Sequence, residues 1–441
     1  MKVVIVGFGW AGYEAAITCK LLRPDVDVIV ISNEDVPAYC RCGLTDAIAG
    51  YVKLEDLILS PLEHYKSMGI DVLLNYEVID ATNNHIIARS LIDGRDLKIQ
   101  FDKMIIATGA EPTKPDIKGL ELQGVFKLRT LSDARKIINW AKRSGHAVVY
   151  GAGFLGLQVA DALTKIGLKT TVVEPMESIM PTILDVDMAL RVEEWIKAHG
   201  VTVIKNFKSG ELHGKDFVQK LLGDGVEVKC DLMVLATKVK PNTELACKMG
   251  IQLGETGAIN VNERMETSVP EVYAAGDCIE VKEVITGRRV KAQVATTAIR
   301  EARVAAINAL GGNATYHGTT LSAISKVFGL EIGVVGFSES LCRSFGLDVA
   351  STTLELNAKS KYYPEKTIIK LIAEKNSGRI IGGQAIGHGA SYRANLLSLA
   401  ISKGLTVHDL AKMELSYCPS LTPEWDPIIR ASRALIGEVK R

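Results

Sequence analysis

No stretch of the 441-residue chain carries the roughly 18 consecutive apolar residues of a membrane span, so no membrane contact is expected. There is no excess of either charge, with 52 Lys+Arg against 51 Asp+Glu. A polyphosphate backbone would find nothing to hold it, and nucleic acid is not an expected partner. The eight cysteines, at 19, 40, 42, 230, 247, 278, 342 and 418, form no CxxC and no Cys/His grouping. That excludes a secreted disulfide scaffold and argues against any metal site. None of the eight histidines falls in a catalytic arrangement. An apolar strand pattern beginning at residue 2 leaves no room for a signal peptide, and a cytoplasmic location is expected. With 47% hydrophobic and 23% charged residues, the chain should fold around more than one core, as two to four domains.

What is present is one unit, twice. Val3-Val4-Ile5-Val6 runs into Gly7-Phe8-Gly9-Trp10-Ala11-Gly12, and Ala147-Val148-Val149-Tyr150 runs into Gly151-Ala152-Gly153-Phe154-Leu155-Gly156. Each reads as strand, Gly-x-Gly-x-x-Gly turn, helix. The first glycine makes the tight turn, the second admits a pyrophosphate, and the third lets helix pack on strand, leaving phosphates at the positive helix end. The acid that binds ribose hydroxyls is due about 20 residues on. In the second unit it is Glu174, with no arginine beside it to take a 2′-phosphate, so NADH is preferred over NADPH. In the first unit the strand Val28–Ile31 ends at Ser32, which leaves either Glu34 or the Ser32 hydroxyl to meet the ribose.

Three further strands end in informative turns. Met104–Ala107 leads to Thr108-Gly109; Leu232–Ala236 leads to Lys238 where a glycine would match; Val272–Ala275 leads to Gly276-Asp277, whose aspartate suits a sugar-like hydroxyl. Taken with the duplicated unit, this order of motifs resembles the pyridine nucleotide-disulfide oxidoreductases over essentially the whole chain. The resemblance implies an α/β fold with two Rossmann-like domains and an α+β dimerisation domain. FAD would be held by Gly7, Gly9, Gly12, Ser32, Glu34, Thr108, Gly109, Gly276 and Asp277, and NADH by Gly151, Gly153, Gly156 and Glu174. The implied divisions are 1–112 and 244–313 for the FAD domain, 113–243 for the NAD domain and 314–441 for the dimerisation domain. A helix from about Lys291 to Leu310 would aim its N-terminus at the flavin.

Cys42-Gly43-Leu44 resembles the single-cysteine branch of that family: coenzyme A-disulfide reductases, NADH oxidases and polysulfide reductases. The implied activity is transfer of electrons from NADH through FAD to Cys42, which reduces a disulfide, persulfide or polysulfide, or oxygen, in a homodimer. Arg41 and the turn at Gly43 would lower the Cys42 thiol toward its reactive thiolate. The other cysteines read as small buried hydrophobes, except Cys40. In an extended C-x-C pair Cys40 would point the same way as Cys42, so a strained disulfide between them is conceivable. Tyr417, in Tyr417-Cys418-Pro419, resembles a tyrosine that reaches the partner's active site. Trp10 stands where oxidase and peroxidase relatives carry a histidine, which argues against peroxidase chemistry. Lys20 is the one basic residue left on the first helix for a coenzyme A phosphate. The alternatives are a reductase of a small iron protein such as rubredoxin or ferredoxin, suggested by Val36-Pro37-Ala38-Tyr39 and Ile48-Ala49-Gly50, and a flavin-bound redox sensor without turnover.

Overall fold

A computed structural model describes residues 1–440. Val3, Val4 and Ile5 are fully buried, and such β-branched runs suit the centre of a parallel sheet covered on both faces. Lys2–Val6 is that centre. The five parallel strands lie in the order Val272–Ala274, Lys103–Ile106, Lys2–Val6, Asp27–Ile31, Ile70–Leu73. A second parallel sheet repeats the layout as Val125–Lys127, Leu232–Leu235, His146–Tyr150, Lys169–Val173, Thr202–Ile204. The duplication therefore extends from the glycine turns to whole sheets. It includes a three-stranded antiparallel meander in each half, Tyr76–Ala81 to Asp96–Gln100 and Gly210–His213 to Val226–Lys229.

The helix after each glycine turn runs over Trp10–Leu22 and Phe154–Lys165. The first packs along Ala295–Ala309. That second helix was expected from Lys291 but starts at Ala295, because Val294 is still extended and serves as its N-cap. Lys20 is neither a free phosphate ligand nor solvated. It is 9% exposed, and its Nζ donates to the carbonyls of Val26 (2.6 Å) and Pro24 (3.3 Å), closing the turn after its own helix. Four of the six cysteines expected inside are buried, but Cys247 and Cys418 are exposed. Cys247 lies on the short helix Glu244–Lys248, which turns Leu245 and Ala246 inward instead.

The C-terminal part is an antiparallel sheet ordered Ala323–Val327, Leu330–Gly336, Ile380–Gly387, Lys366–Glu374, Val349–Asn357, with the helices Ala390–Ser402 and Pro427–Leu435 packed on it. One buried cation joins it to the second parallel sheet's unit. Lys370 lies 2.9 Å from Asp187, 3.1 Å from Glu339 and 3.4 Å from Asp185. Burial pushes the Glu339 carboxyl upward, but hydrogen bonds from Ser351, Arg343 and Lys370 outweigh it and hold the group at about 2. The folded state thus binds this proton less readily than the unfolded chain, and the stability the group contributes is fully present above the ordinary carboxylate range and lost as pH falls to about 2. In urea unfolding followed between about pH 5 and pH 2, Glu339→Gln should be less stable than the native chain at the upper end and show a shallower loss toward the lower.

Candidate active site

The two glycine turns divide their labour in the same way. A Cβ on Gly12 would sit 1.9 Å from the Gly7 carbonyl oxygen, and one on Gly156 would sit 1.9 Å from that of Gly151, so these glycines serve helix-on-strand packing. Gly7 and Gly151 hold φ of +107° and +105°, which a side chain would strain. The middle glycines differ. Nothing lies within 4 Å of a Cβ on Gly153, and only the Arg41 Nε, at 3.8 Å, near one on Gly9. Open space at the N-terminus of a long helix is what a pyrophosphate requires, so both cradles fit the dinucleotides expected of them.

Glu174 ends its strand against the second cradle. Its carboxylate accepts from the Ala152 N–H, on the turn's own backbone, at 2.7 Å and from the Met176 N–H, two residues on, at 3.0 Å. The first unit is built otherwise. Ser32 is buried and its Oγ accepts from the Glu34 N–H at 3.2 Å, while Glu34 turns to pair with Arg41. Thr108 and Gly109 are bonded to Asn242, through Thr108 Oγ1 to its carbonyl (2.8 Å) and its N–H to the Gly109 carbonyl (2.9 Å). Gly276 has φ +87°, and a Cβ there would come 3.0 Å from that of Ala11, so Gly276-Asp277 closes on the start of the first helix. Its N–H donates to Glu301 at 2.9 Å. Burial, helped by the Asp277 charge, pushes the Glu301 carboxyl up to about 8, so it holds a proton at neutral pH beside this turn.

The cysteine segment is a turn, not an extended strand. Arg41–Gly43 forms a single 3₁₀ turn leading into the helix Leu44–Ile48, closed by the Gly43 N–H donating to the Cys40 carbonyl at 3.1 Å. Although it precedes the first meander in sequence, this segment packs elsewhere. Tyr39, Leu44, Ala47, Ile48 and Leu57 share a core with Leu131, Ala134, Leu157 and Ala160 of the second unit. A polar clamp makes the same crossing. Arg41 pairs with Glu34 and donates to the Tyr39 hydroxyl (2.7 Å) and the Arg129 carbonyl (2.9 Å); Tyr39 donates to the other Glu34 oxygen at 2.7 Å and accepts from the Leu131 N–H at 3.3 Å.

This clamp corrects the expectation for Arg41. Its charge is committed to Glu34 and the Tyr39 hydroxyl, and it is not among the main influences on the Cys42 thiol. Cys42 meets solvent, yet the protein around it is the largest influence and raises its pKa above the ordinary value. Cys40 and Asp277 raise it further; Arg129 and a backbone N–H pull it back. The cation that matters is thus Arg129, which also pairs with Asp277 at 3.1 Å. Sequence reasoning missed it. The signal present was indirect: Thr130-Leu131-Ser132-Asp133 is a capping box that starts the helix Leu131–Ala141, and Asp133 accepts from both the Thr130 and Arg129 N–H groups at 3.0 Å. Glu301 had no signal beyond its place on a helix. Tyr417, 49% exposed, bonds to Glu424 and Ser360 at 3.1 Å and stays with its own C-terminal segment in a single chain. Cys40 and Cys42 are free thiols.

The family profile described as pyridine nucleotide-disulphide oxidoreductase matches residues 1–307, and that of the same family's dimerisation domain matches residues 322–427. An NADH oxidase of Methanocaldococcus jannaschii is 34% identical over 440 residues, covering 98% of each chain. An NAD(P)H sulfur oxidoreductase (CoA-dependent) of Pyrococcus furiosus is 34% identical over 439 residues, covering 98% of this chain and 99% of the relative. The solved structure of an NAD-dependent persulfide reductase from A. fulgidus superposes with a TM-score of 0.95 at 34% identity, over 99% of this chain and 83% of that one.

Which arginine acts on Cys42 is measurable. In iodoacetamide labelling of Cys42 across pH, the midpoint of the native protein should lie above the ordinary thiol value. Arg129→Met should move it further up, whereas Arg41→Met should leave it nearly unchanged.

Proposed function

The chain belongs to the pyridine nucleotide-disulphide oxidoreductases, and on that premise we propose that it uses NADH to reduce a sulfur–sulfur bond at Cys42. It is a flavoprotein oxidoreductase that works with FAD and a pyridine nucleotide. FAD is assigned to Gly7, Gly9 and Gly12 with Thr108, Gly109, Gly276 and Asp277, and NADH to Gly151, Gly153, Gly156 and Glu174. When bound there, FAD would supply two-electron transfer between the nicotinamide and sulfur. Arg41 stands beside the first cradle, its Nε 3.8 Å from the Cβ position of Gly9, and the ribose is left to Glu34 or the Ser32 hydroxyl. We divide the chain into an FAD domain of 1–112 and 244–313, an NAD domain of 113–243 and a C-terminal domain of 314–441, a reading supported by the three five-stranded sheets.

The observation that carries the reading is an exposed thiol held by residues of both nucleotide units. Cys42 attacks the substrate as its thiolate, and Arg129 favours that charge where Asp277 and Cys40 oppose it. Burial, the largest influence, favours the protonated thiol over the thiolate. A homodimer completes the site. The exposed side chains of Tyr362 (67%), Leu421 (63%), Tyr417 (49%) and Trp425 (49%) lie on two C-terminal loops and form an apolar surface suited to a second copy. Tyr417 would then offer its hydroxyl to the partner's substrate sulfur.

The names of the relatives supply two acceptor classes, sulfur compounds and oxygen. Steady-state NADH consumption separates them. Anaerobic consumption should depend on added polysulfide and fall at least about a hundredfold in Cys42→Ser. Polysulfide-dependent turnover surviving in that variant would contradict the assignment, and consumption with oxygen alone would favour the oxidase reading.

A further inference from the structure

Cys40 is unaccounted for in a mechanism that needs one thiol. The turn puts it two residues before Cys42, with the Gly43 N–H bonded to its carbonyl. Residues two apart in so tight a turn have Cα atoms roughly 5–6 Å apart, inside the range a disulfide spans. The turn is gripped from outside: the Cys40 N–H donates to the Leu57 carbonyl at 2.8 Å, and the Leu57 side chain stands 2.5 Å from a Cβ on Gly43. Arg41, the residue between the thiols, is tied to Glu34, Tyr39 and Arg129 and cannot swing across them. Exposure is graded as well. Cys42 is exposed and Cys40 is half-buried, so an incoming substrate meets Cys42 first.

From this arrangement we propose that Cys40 is the resolving thiol of Cys42, closing a Cys40–Cys42 disulfide within each turnover and making the enzyme independent of an external thiol. The proposal rests on Cys42 as the sulfur that receives the electrons. The Cys42 thiolate attacks a substrate R–S–S–R′, the S–S bond breaks, and R′S⁻ leaves to take up a proton. The Cys40 thiolate then attacks the Cys42 sulfur of the mixed disulfide and expels RS⁻, which is protonated. Two electrons from one NADH, with the protons, reopen the Cys40–Cys42 bond to two thiols. The sum is RSSR′ + NADH + H⁺ → RSH + R′SH + NAD⁺. The Pyrococcus furiosus relative is named for its dependence on coenzyme A, itself a thiol. In this chain Lys20, the basic residue on the first helix, is spent on backbone carbonyls, and Cys40 places a second thiol in the turn. Cys40 also weighs on the Cys42 charge, which places the two sulfurs within electrostatic reach.

Trypsin offers a direct readout, because it cuts after Arg41, between the two cysteines. Reduced, FAD-loaded enzyme is given one equivalent of 2-hydroxyethyl disulfide without oxygen, alkylated and digested. In the native protein peptides 21–41 and 42–53 should stay joined by a disulfide, with no hydroxyethyl adduct. In Cys40→Ser the adduct should remain on Cys42. Turnover of that variant should fall about tenfold, the effective concentration of a neighbouring thiol being lost, and recover with added 2-mercaptoethanol. A Cys42 adduct equally abundant in native and Cys40→Ser protein overturns the resolving role and leaves Cys42 as the acceptor. No adduct and no linked peptides in either protein overturns the Cys42 assignment itself.

Discussion

The site depends on the ion pair between Arg41 and Glu34 and on the Tyr39 hydroxyl that bridges it. Both charged side chains are partly shielded, 24% and 18% exposed, so the pair is worth more than a surface contact, and removing one partner would strand the other. Arg41 reaches the Arg129 carbonyl and Tyr39 the Leu131 N–H, so the pair joins the end of the ribose strand in the first unit to a helix start in the second. The helix Leu44–Ile48 continues the link by burying its apolar face in the second unit's core. A thiol in this turn therefore has its position set by both nucleotide units at once. That is the geometry a relay between two bound nucleotides and a third substrate needs.

The charges around Cys42 are arranged for control rather than for simple activation. Arg129 favours the thiolate, but it is shared with Asp277, which opposes it, and Cys40 adds to the opposition. A thiol so balanced is quiet until something alters the local charge. The neutral Glu301 belongs to the same economy: a second carboxylate beside Asp277 would raise the negative potential further, and burial keeps it protonated instead.

Much of this was legible in the residues. Glycines at tight turns are constrained by backbone sterics that any reader of the spacing shares, and the two sheets follow the two fingerprints strand for strand. Gly43 and Leu44 single out Cys42 in the sequence, and the structure places that thiol exposed in a turn. The misreadings came where a long polar side chain had a choice of partners. Arg41 adjoins Cys42 in sequence, yet its guanidinium travels to Glu34. Lys20 reads as a solvated or phosphate-binding residue until the carbonyls of Pro24 and Val26 are seen to wait for it. Arg129 is far from Cys42 in sequence and is brought near only by the packing of the second unit on the cysteine segment. The conformation of the C-x-C pair was not legible, because a local pattern of small and polar residues does not distinguish a strand from a single turn.

The most direct measure of the central claim is the number of electrons the protein stores. Enzyme oxidised with polysulfide, freed of the excess and held without oxygen, is titrated with NADH while the flavin absorbance is followed. Because a thiol–disulfide couple takes two electrons, the native protein should consume about two NADH per FAD and Cys42→Ser about one. If both consume about one, Cys42 stores no electrons and the acceptor is reduced elsewhere.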